Sequence, residues 1–149
     1  MILDNKGYLF ITKHEGLRLK PYLCPAKIPT IGYGNTYYPD GKRVTLLDKD
    51  ITKQEAFEMF KEIANRFAKR VDTLVISNIN QNQFNALVSF AYNVGTGNFA
   101  ISTLLKKVNK NPNDLTIKAE FLKWNKANGK VINGLTNRRI EEADLYFLP

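Results

Sequence analysis

The chain has 149 residues, enough for one domain or two lobes on one chain, and 44% are hydrophobic, enough for an ordinary core. Lysine and arginine outnumber aspartate and glutamate 22 to 14, a net charge of +8 with a pI near 9.6. One cysteine excludes an internal disulfide, one histidine is a poor start for a zinc site, and no apolar run approaches the roughly 18 residues of a membrane helix. No metal or cofactor is therefore expected. The basic balance suits an anionic polymer: nucleic acid, anionic lipid or cell wall. The charge is spread along the chain, with no block of five or six basic residues and no aromatic-basic nucleic-acid motif.

Residues 2–13 read as a first helix, with Leu3, Leu9 and Phe10 forming an apolar stripe beside Tyr8. Asp4 precedes any basic residue, unlike the start of an export signal. The helix must stop before Pro21, and Gly16 is a suitable stop. Glu15 then falls at the helix end, where the partial negative charge disfavours an ionised carboxyl. Between residues 17 and 47, prolines and glycines break any helix and leave short β-type pieces at 19–23, 28–33 and 43–46. Pro39-Asp40-Gly41 is a turn signal. The segment predicts a small antiparallel sheet.

Helices dominate after that. Thr52 and Glu55 fit a capping box, and Ala56, Phe57, Phe60, Ile63, Ala64, Phe67 and Val71 come next at helical spacing. Asn80 caps a second helix through Val94, which Gly95 and Gly97 end. Further helices are expected at 99–108, 113–126 and 135–147. Segregated elements argue for an α+β fold. Residues 14–50 would form a sheet lobe with a cleft, and residues 1–13 and 51–149 a helical lobe.

The rarest residues gather between 14 and 36, in HEGLRLKPYLCPAKIPTIGYGNT. Glu15 could act as a general acid, or it could pair at the surface with Arg18 or Lys20. Cys24 could be a small hydrophobe, or a nucleophile with His14 as its base. Lys20 and Lys27 would favour its thiolate if they fold near it. Thr30 lies five residues beyond Cys24, which lies eight beyond Glu15, counting those between. A hairpin could bring all three to one face.

This segment resembles the active-site segment of phage-type lysozymes, the endolysins of glycoside hydrolase family 24. That family has Glu-Gly, then Arg-Leu and Tyr, a catalytic Asp, and Thr-Ile-Gly-Tyr-Gly, at this same spacing. Here Cys24 stands at the Asp position. QNQFNALVSFAYNVGTGNFAISTLL (81–105) and FLKWNKANGKVINGLTNRRIEEADLY (121–146) resemble the family's central and C-terminal segments. The resemblance implies a lysozyme-like fold with a small antiparallel sheet lobe and a predominantly helical lobe. It implies a muramidase that cleaves the β-1,4 bond between N-acetylmuramic acid and N-acetylglucosamine in bacterial peptidoglycan. Glu15 would be the acid, with Cys24 and Thr30 holding the attacking water and the anomeric configuration inverting. Tyr22, Tyr33 and the region from Asn98 to Thr103, with Phe99 and Ser102, are expected to line the cleft. Arg138 or Arg139, with the resemblance favouring Arg138, would close over it toward Glu15, or else pair with Glu141 or Glu142 on its own helix. Asn35 stands where the family often has a structural His.

The resemblance also implies a monomer that waits in the host cytoplasm until a separate membrane-permeabilising holin releases it to the wall late in infection. Three other readings stay open. One is a Cys24–His14 amidase or peptidase. Another is a wall-binding relative impaired by the loss of Asp, and a third is a tail-associated or bacterial muramidase.

Overall fold

The computed structural model describes residues 1–149 and contains seven α-helices and two small antiparallel sheets, an α+β fold. The chain forms two compact units, residues 8–66 and residues 1–7 with 67–149. The divisions fall inside α1 (Asn5–Glu15) and α2 (Lys53–Leu74).

In the smaller unit, α1 ends at Glu15 because Gly16 takes φ +67, a conformation that costs glycine little. The Gly16 N–H still donates to the Thr12 carbonyl at 3.3 Å. β1 (Arg18–Leu23) then pairs antiparallel with β2 (Pro29–Gly32), with Tyr22 opposite Thr30 and Leu23 opposite Pro29. The ladder shifts register between Arg18 and Tyr22. Both strands are where the sequence places them. The expected third strand at 43–46 does not form. Only a single bridge joins Tyr37 and Arg43, and Asp48 holds residues 45–48 as a loop. Its carboxylate accepts from the Thr45 N–H (2.8 Å), the Thr45 hydroxyl (2.7 Å) and the Tyr38 hydroxyl (2.7 Å). Thr45 thus spends its polar groups within that loop. Ile31, Val44 and Met59 form the buried core here, flanked by Tyr38, Ile51 and Ile63. Tyr8, Tyr33, Phe57 and Phe60 pack against one another in the same unit, mostly edge to face.

α2 opens with the expected capping box: the Glu55 N–H donates to the Thr52 hydroxyl and the Thr52 N–H to the Glu55 carboxylate, each at 3.1 Å. In the larger unit, α3 (Gln81–Val94) starts from a second box between Asn80 and Gln83. Every residue of α3 from Gln83 to Ala91 is buried, so this helix is covered on all sides. Around it lie α4 (Thr96–Ile101), α5 (Thr103–Lys110), α6 (Ile117–Leu122) and α7 (Asn133–Tyr146).

Two expected helices are corrected. The one at 99–108 is two helices, α4 and α5, broken at Ser102. That residue is extended (φ −72, ψ 149) and its hydroxyl accepts from the Leu105 N–H at 3.1 Å, so it caps α5. The one at 113–126 shrinks to the six residues of α6, after which comes a hairpin of β3 (Lys126–Ala127) and β4 (Lys130–Val131). Asn128 and Gly129 both take positive φ, 51 and 76. Asn-Gly is a strong two-residue hairpin signal, and it marks this site in the sequence. At the N-terminus α1 begins at Asn5 and not at residue 2, because the Asp4 carboxylate accepts from the Gly7 N–H at 2.9 Å and caps it.

The same Asp4 oxygen accepts from Asn85 Nδ2 at 2.8 Å, and a Cβ on Gly7 would lie 2.6 Å from Asn85 Oδ1. Asn85 is fully buried and also bound by Gln81, so it has little room to yield. Gly7→Ala should lower stability by about 1–3 kcal/mol in urea unfolding. A second test concerns acid. Thr45 and then Tyr38 hold the Asp48 carboxyl below its usual range, so its stabilisation is present above about pH 4 and lost as pH falls through its lowered value. Asp48→Asn should therefore melt below wild type at neutral pH, with the two melting curves converging in acid.

Candidate active site

Glu15 is the last residue of α1, and its carboxylate lies against the turn just after β2. That turn is closed by paired backbone bonds between Ile31 and Asn35, 2.9 and 3.0 Å. Gly32 and Gly34 sit inside it at φ +68 and +76. Any Cβ on Gly34 would come within 3.1 Å of Glu15 Oε2. So the Gly-Tyr-Gly signal has a local cause: positive φ at both glycines, and room for an acid at the second. Asn35 is buried and makes its backbone pair with Ile31.

Cys24 comes directly after β1, and the hairpin closes around it. Its N–H donates to the Ile28 carbonyl (3.1 Å), and the Lys27 N–H donates to the Cys24 carbonyl (2.8 Å), with Lys27 at φ +61. The Ile28 backbone group holds the thiol below its ordinary range, with help from that of Ala26 and from the Thr30 hydroxyl; desolvation opposes them. The thiol is partly exposed. Thr30, in contrast, is buried, and its hydroxyl donates to the Ile28 carbonyl at 2.8 Å. A hydroxyl has a single proton to donate. Serving the sulfur therefore means turning away from Ile28, a rotation that favours the thiolate. The groups acting on the thiol all belong to the hairpin, whereas His14 packs its ring edge-on against Phe10 at 5.1 Å.

The expected cleft residues separate. Tyr22 is half-buried, with the Arg18 guanidinium 4.7 Å above its ring. Three others are buried. Tyr33 is 8% exposed and packs edge-on against Phe57 and Phe60, so it is a core residue. Phe99 is fully buried against Phe90 and offers no surface. The Ser102 hydroxyl is buried and engaged as a helix cap. Arg138 is buried, its Nε 3.3 Å from Glu142 and its Nη2 bonded to the Ser89 carbonyl at 3.2 Å. The pairing with Glu142 on its own helix is therefore made, in the interior and not at the surface.

The larger unit has a pocket of which sequence reasoning named only Asn98, within the region 98–103. It measures about 380 Å³, and Asn93, Asn98, Lys123, Trp124 and Lys126 help to line it. The chain's only tryptophan was the signal that could have found it. No group of three or more His, Cys, Asp or Glu side chains is placed to hold a metal ion, and no helix is long and apolar enough to cross a membrane.

The phage lysozyme family model matches residues 12–142, a span that includes Glu15, Cys24 and Thr30. The chain belongs to the phage lysozyme family. It is 40% identical over 148 residues to the endolysin of Bacillus phage PZA, covering 98% of this chain but only 55% of that protein. The chain thus spans about half the length of that relative. Against the endolysin of Salmonella phage P22 it is 36% identical over 146 residues, 98% of each. The solved structure of an endolysin from Escherichia coli O157:H7 phage FAHEc1 superposes with a TM-score of 0.91 at 37% identity. It covers 99% of this chain and 94% of that one. The lysozyme-like fold expected from the sequence is therefore present.

The hairpin geometry predicts an alkylation profile. Reaction of Cys24 with iodoacetamide should reach half-maximum below the pH of about 8.5 typical of a free thiol. Thr30→Ala should move that midpoint upward, and Thr30→Ser should restore it.

Proposed function

We propose that this chain is a muramidase that hydrolyses the β-1,4 bond between N-acetylmuramic acid and N-acetylglucosamine in bacterial peptidoglycan. Membership of the phage lysozyme family and the relatives named as endolysins support a wall-degrading enzyme. The observation that carries the residue assignment is the Cys24–Thr30 hairpin, on the same compact unit as a carboxylate seated against Gly34.

In this reading Glu15 gives its proton to the glycosidic oxygen as the bond to the anomeric carbon breaks. A water held by Cys24 and Thr30 attacks that carbon from the opposite face and passes its proton to the Cys24 thiolate. The configuration inverts, and no covalent sugar is formed. A thiol has far less ionised form than an aspartate at neutral pH, and the hairpin donors compensate in part by lowering Cys24. The positive net charge suits an anionic wall. Release to the wall at the end of infection would require a separate holin.

An amidase built on Cys24 and His14 has less support, because the groups that tune the thiol are hairpin groups. Product analysis separates the two readings. Purified peptidoglycan should yield new reducing sugar ends and no new amino groups, whereas new amino groups would overturn the muramidase assignment. Glu15→Gln should lower turnover by roughly 10²–10⁴-fold with the fold intact. Cys24→Asp should keep or raise activity, and Cys24→Ala should lower it. A sugar adduct on Cys24 in intact-protein mass spectrometry would contradict the inverting route.

A further inference from the structure

The charge that reads as spread along the chain is segregated within the larger unit. Residues 73–102 carry no charged side chain. Residues 103–131 carry seven lysines and no arginine, against two acids, Asp114 and Glu120. That stretch therefore has a net charge of +5, out of +8 for the whole chain. Six of its lysines are exposed, and Lys107 is half-buried.

Contacts join these lysines into a ridge. Lys107 and Lys123 both donate to the Glu120 carboxylate, at 3.1 Å and at 2.9 and 3.0 Å. Glu120 is buried, so it lies beneath the two ammonium groups and is shared between them. Lys107 and Lys110 both act on Asp114. Lys106 stands one turn of α5 before Lys110 and extends the same face. At the other end Lys123 and Lys126 lie side by side along the pocket wall. Each acid faces two lysines, so local pairing leaves the ridge positive.

The residue type selects the anion. A guanidinium fork matches a planar carboxylate, whereas an ammonium is a compact charge on a flexible stem. A surface of lysines alone suits mobile phosphodiesters. Nucleic acid is disfavoured because no ring is free for base stacking: Phe121 is buried, and Trp124 is held edge-on to Phe90 at 5.6 Å. A lipid surface would require apolar side chains inserted beside the cations. Between Lys106 and Lys130 the only exposed large apolar side chain is Leu115.

We propose that the lysine ridge from Lys106 to Lys126 is a docking surface for a phosphodiester polymer attached to the bacterial wall. The proposal rests on the wall-hydrolase reading, which supplies the place where such a polyanion is met. Docking there holds the enzyme on the wall by charge, independently of the residues proposed to cut it.

The test measures pelleting of Glu15→Gln protein, which leaves its probe uncut, with two purified walls. One keeps its covalently attached glycerol phosphate polymer; the other is the same wall after hydrofluoric acid has removed that polymer. Binding to the intact wall should be about tenfold tighter and should fall steeply between about 50 and about 200 mM salt. Equal binding to both walls overturns the inference. Lys107 and Lys123 hold the buried Glu120, so the variants spare them. Lys106→Gln combined with Lys110→Gln should weaken binding to the intact wall about tenfold and flatten its salt dependence. Lys49→Gln combined with Lys53→Gln removes the same charge from exposed sites in the smaller unit and should change binding little. An equal loss with that pair would mean that net charge acts and not the ridge, and the inference fails. Vesicles of phosphatidylglycerol and phosphatidylcholine in equal parts supply the lipid alternative. Binding to them as tight as to the intact wall, and lost in the Lys106/Lys110 pair, would make the partner a membrane and overturn the assignment. Reducing-end release from the stripped wall by wild-type protein tests the muramidase reading separately. Its absence alongside phosphate-dependent pelleting would leave a docking surface without that activity.

Discussion

Nine successive residues of α3, Gln83 to Ala91, are buried, and this one constraint organises the larger unit. A helix covered on every side cannot leave its polar side chains to water. Asn85 is met by Asp4 and Gln81. Ser89 is met by Glu142, which its hydroxyl reaches directly, and by Arg138. Burial pushes the Glu142 carboxyl up from its ordinary range, and Arg139 and Arg138 beside it pull the other way. Each buried charge thus requires the next. Removing one member would strand the others in a dry interior, which costs far more than the pair contributes net. The chain of partners ends at Asn93, an exposed residue that accepts from Arg139 Nη2 at 2.8 Å.

The smaller unit is organised by backbone geometry more than by charge. Gly16, Gly32 and Gly34 all take positive φ within a short span around Glu15 and β2. The first stops α1 with the carboxylate at its end, and the last leaves space for that carboxylate. A side chain at Gly34 would be doubly disfavoured, by backbone strain and by the close approach of Glu15 Oε2. The acid is therefore placed by an absence of atoms on the neighbouring turn.

Local signals were legible wherever the chemistry was local. The Thr52–Glu55 box, the Asn80 cap and the Gly16 stop are written in short motifs whose partners are three or four residues away, and the strands flanking Cys24 pair across one short hairpin. What the sequence hid came from competition. Thr45 reads as a strand residue, but Asp48 takes its amide and hydroxyl. Phe99 to Val108 reads as one helix by periodicity, but Ser102 binds the Leu105 N–H and breaks it. The Asn128-Gly129 pair lies between the expected helices at 113–126 and 135–147, and the hairpin it makes takes the last residue of the first of them, Lys126, into β3. In the candidate site, Glu15, Cys24 and Thr30 are singled out by the resemblance of their segment to the family's active-site segment, since residue type alone left a surface Glu and a packed Cys open. The cleft residues are not fixed in this way, because aromatic spacing does not say whether a ring such as Phe99 or Tyr33 faces out or in.

Cys24 stands where the resemblance implies an aspartate, and the hairpin gives a thiol at that place a physical context. An aspartate would need no help to ionise at neutral pH. A thiol does, and the donors that supply it are backbone groups of the turn that makes the hairpin possible. Backbone donors cannot be lost by substitution short of breaking the turn. The Thr30 hydroxyl can be lost, and it is also the one donor with an alternative partner, the Ile28 carbonyl. Its single proton therefore links the ionisation of Cys24 to a local hydrogen-bond exchange. In the proposed reaction this places the adjustable element beside the group that receives the proton of water, while the groups that cannot move set the baseline.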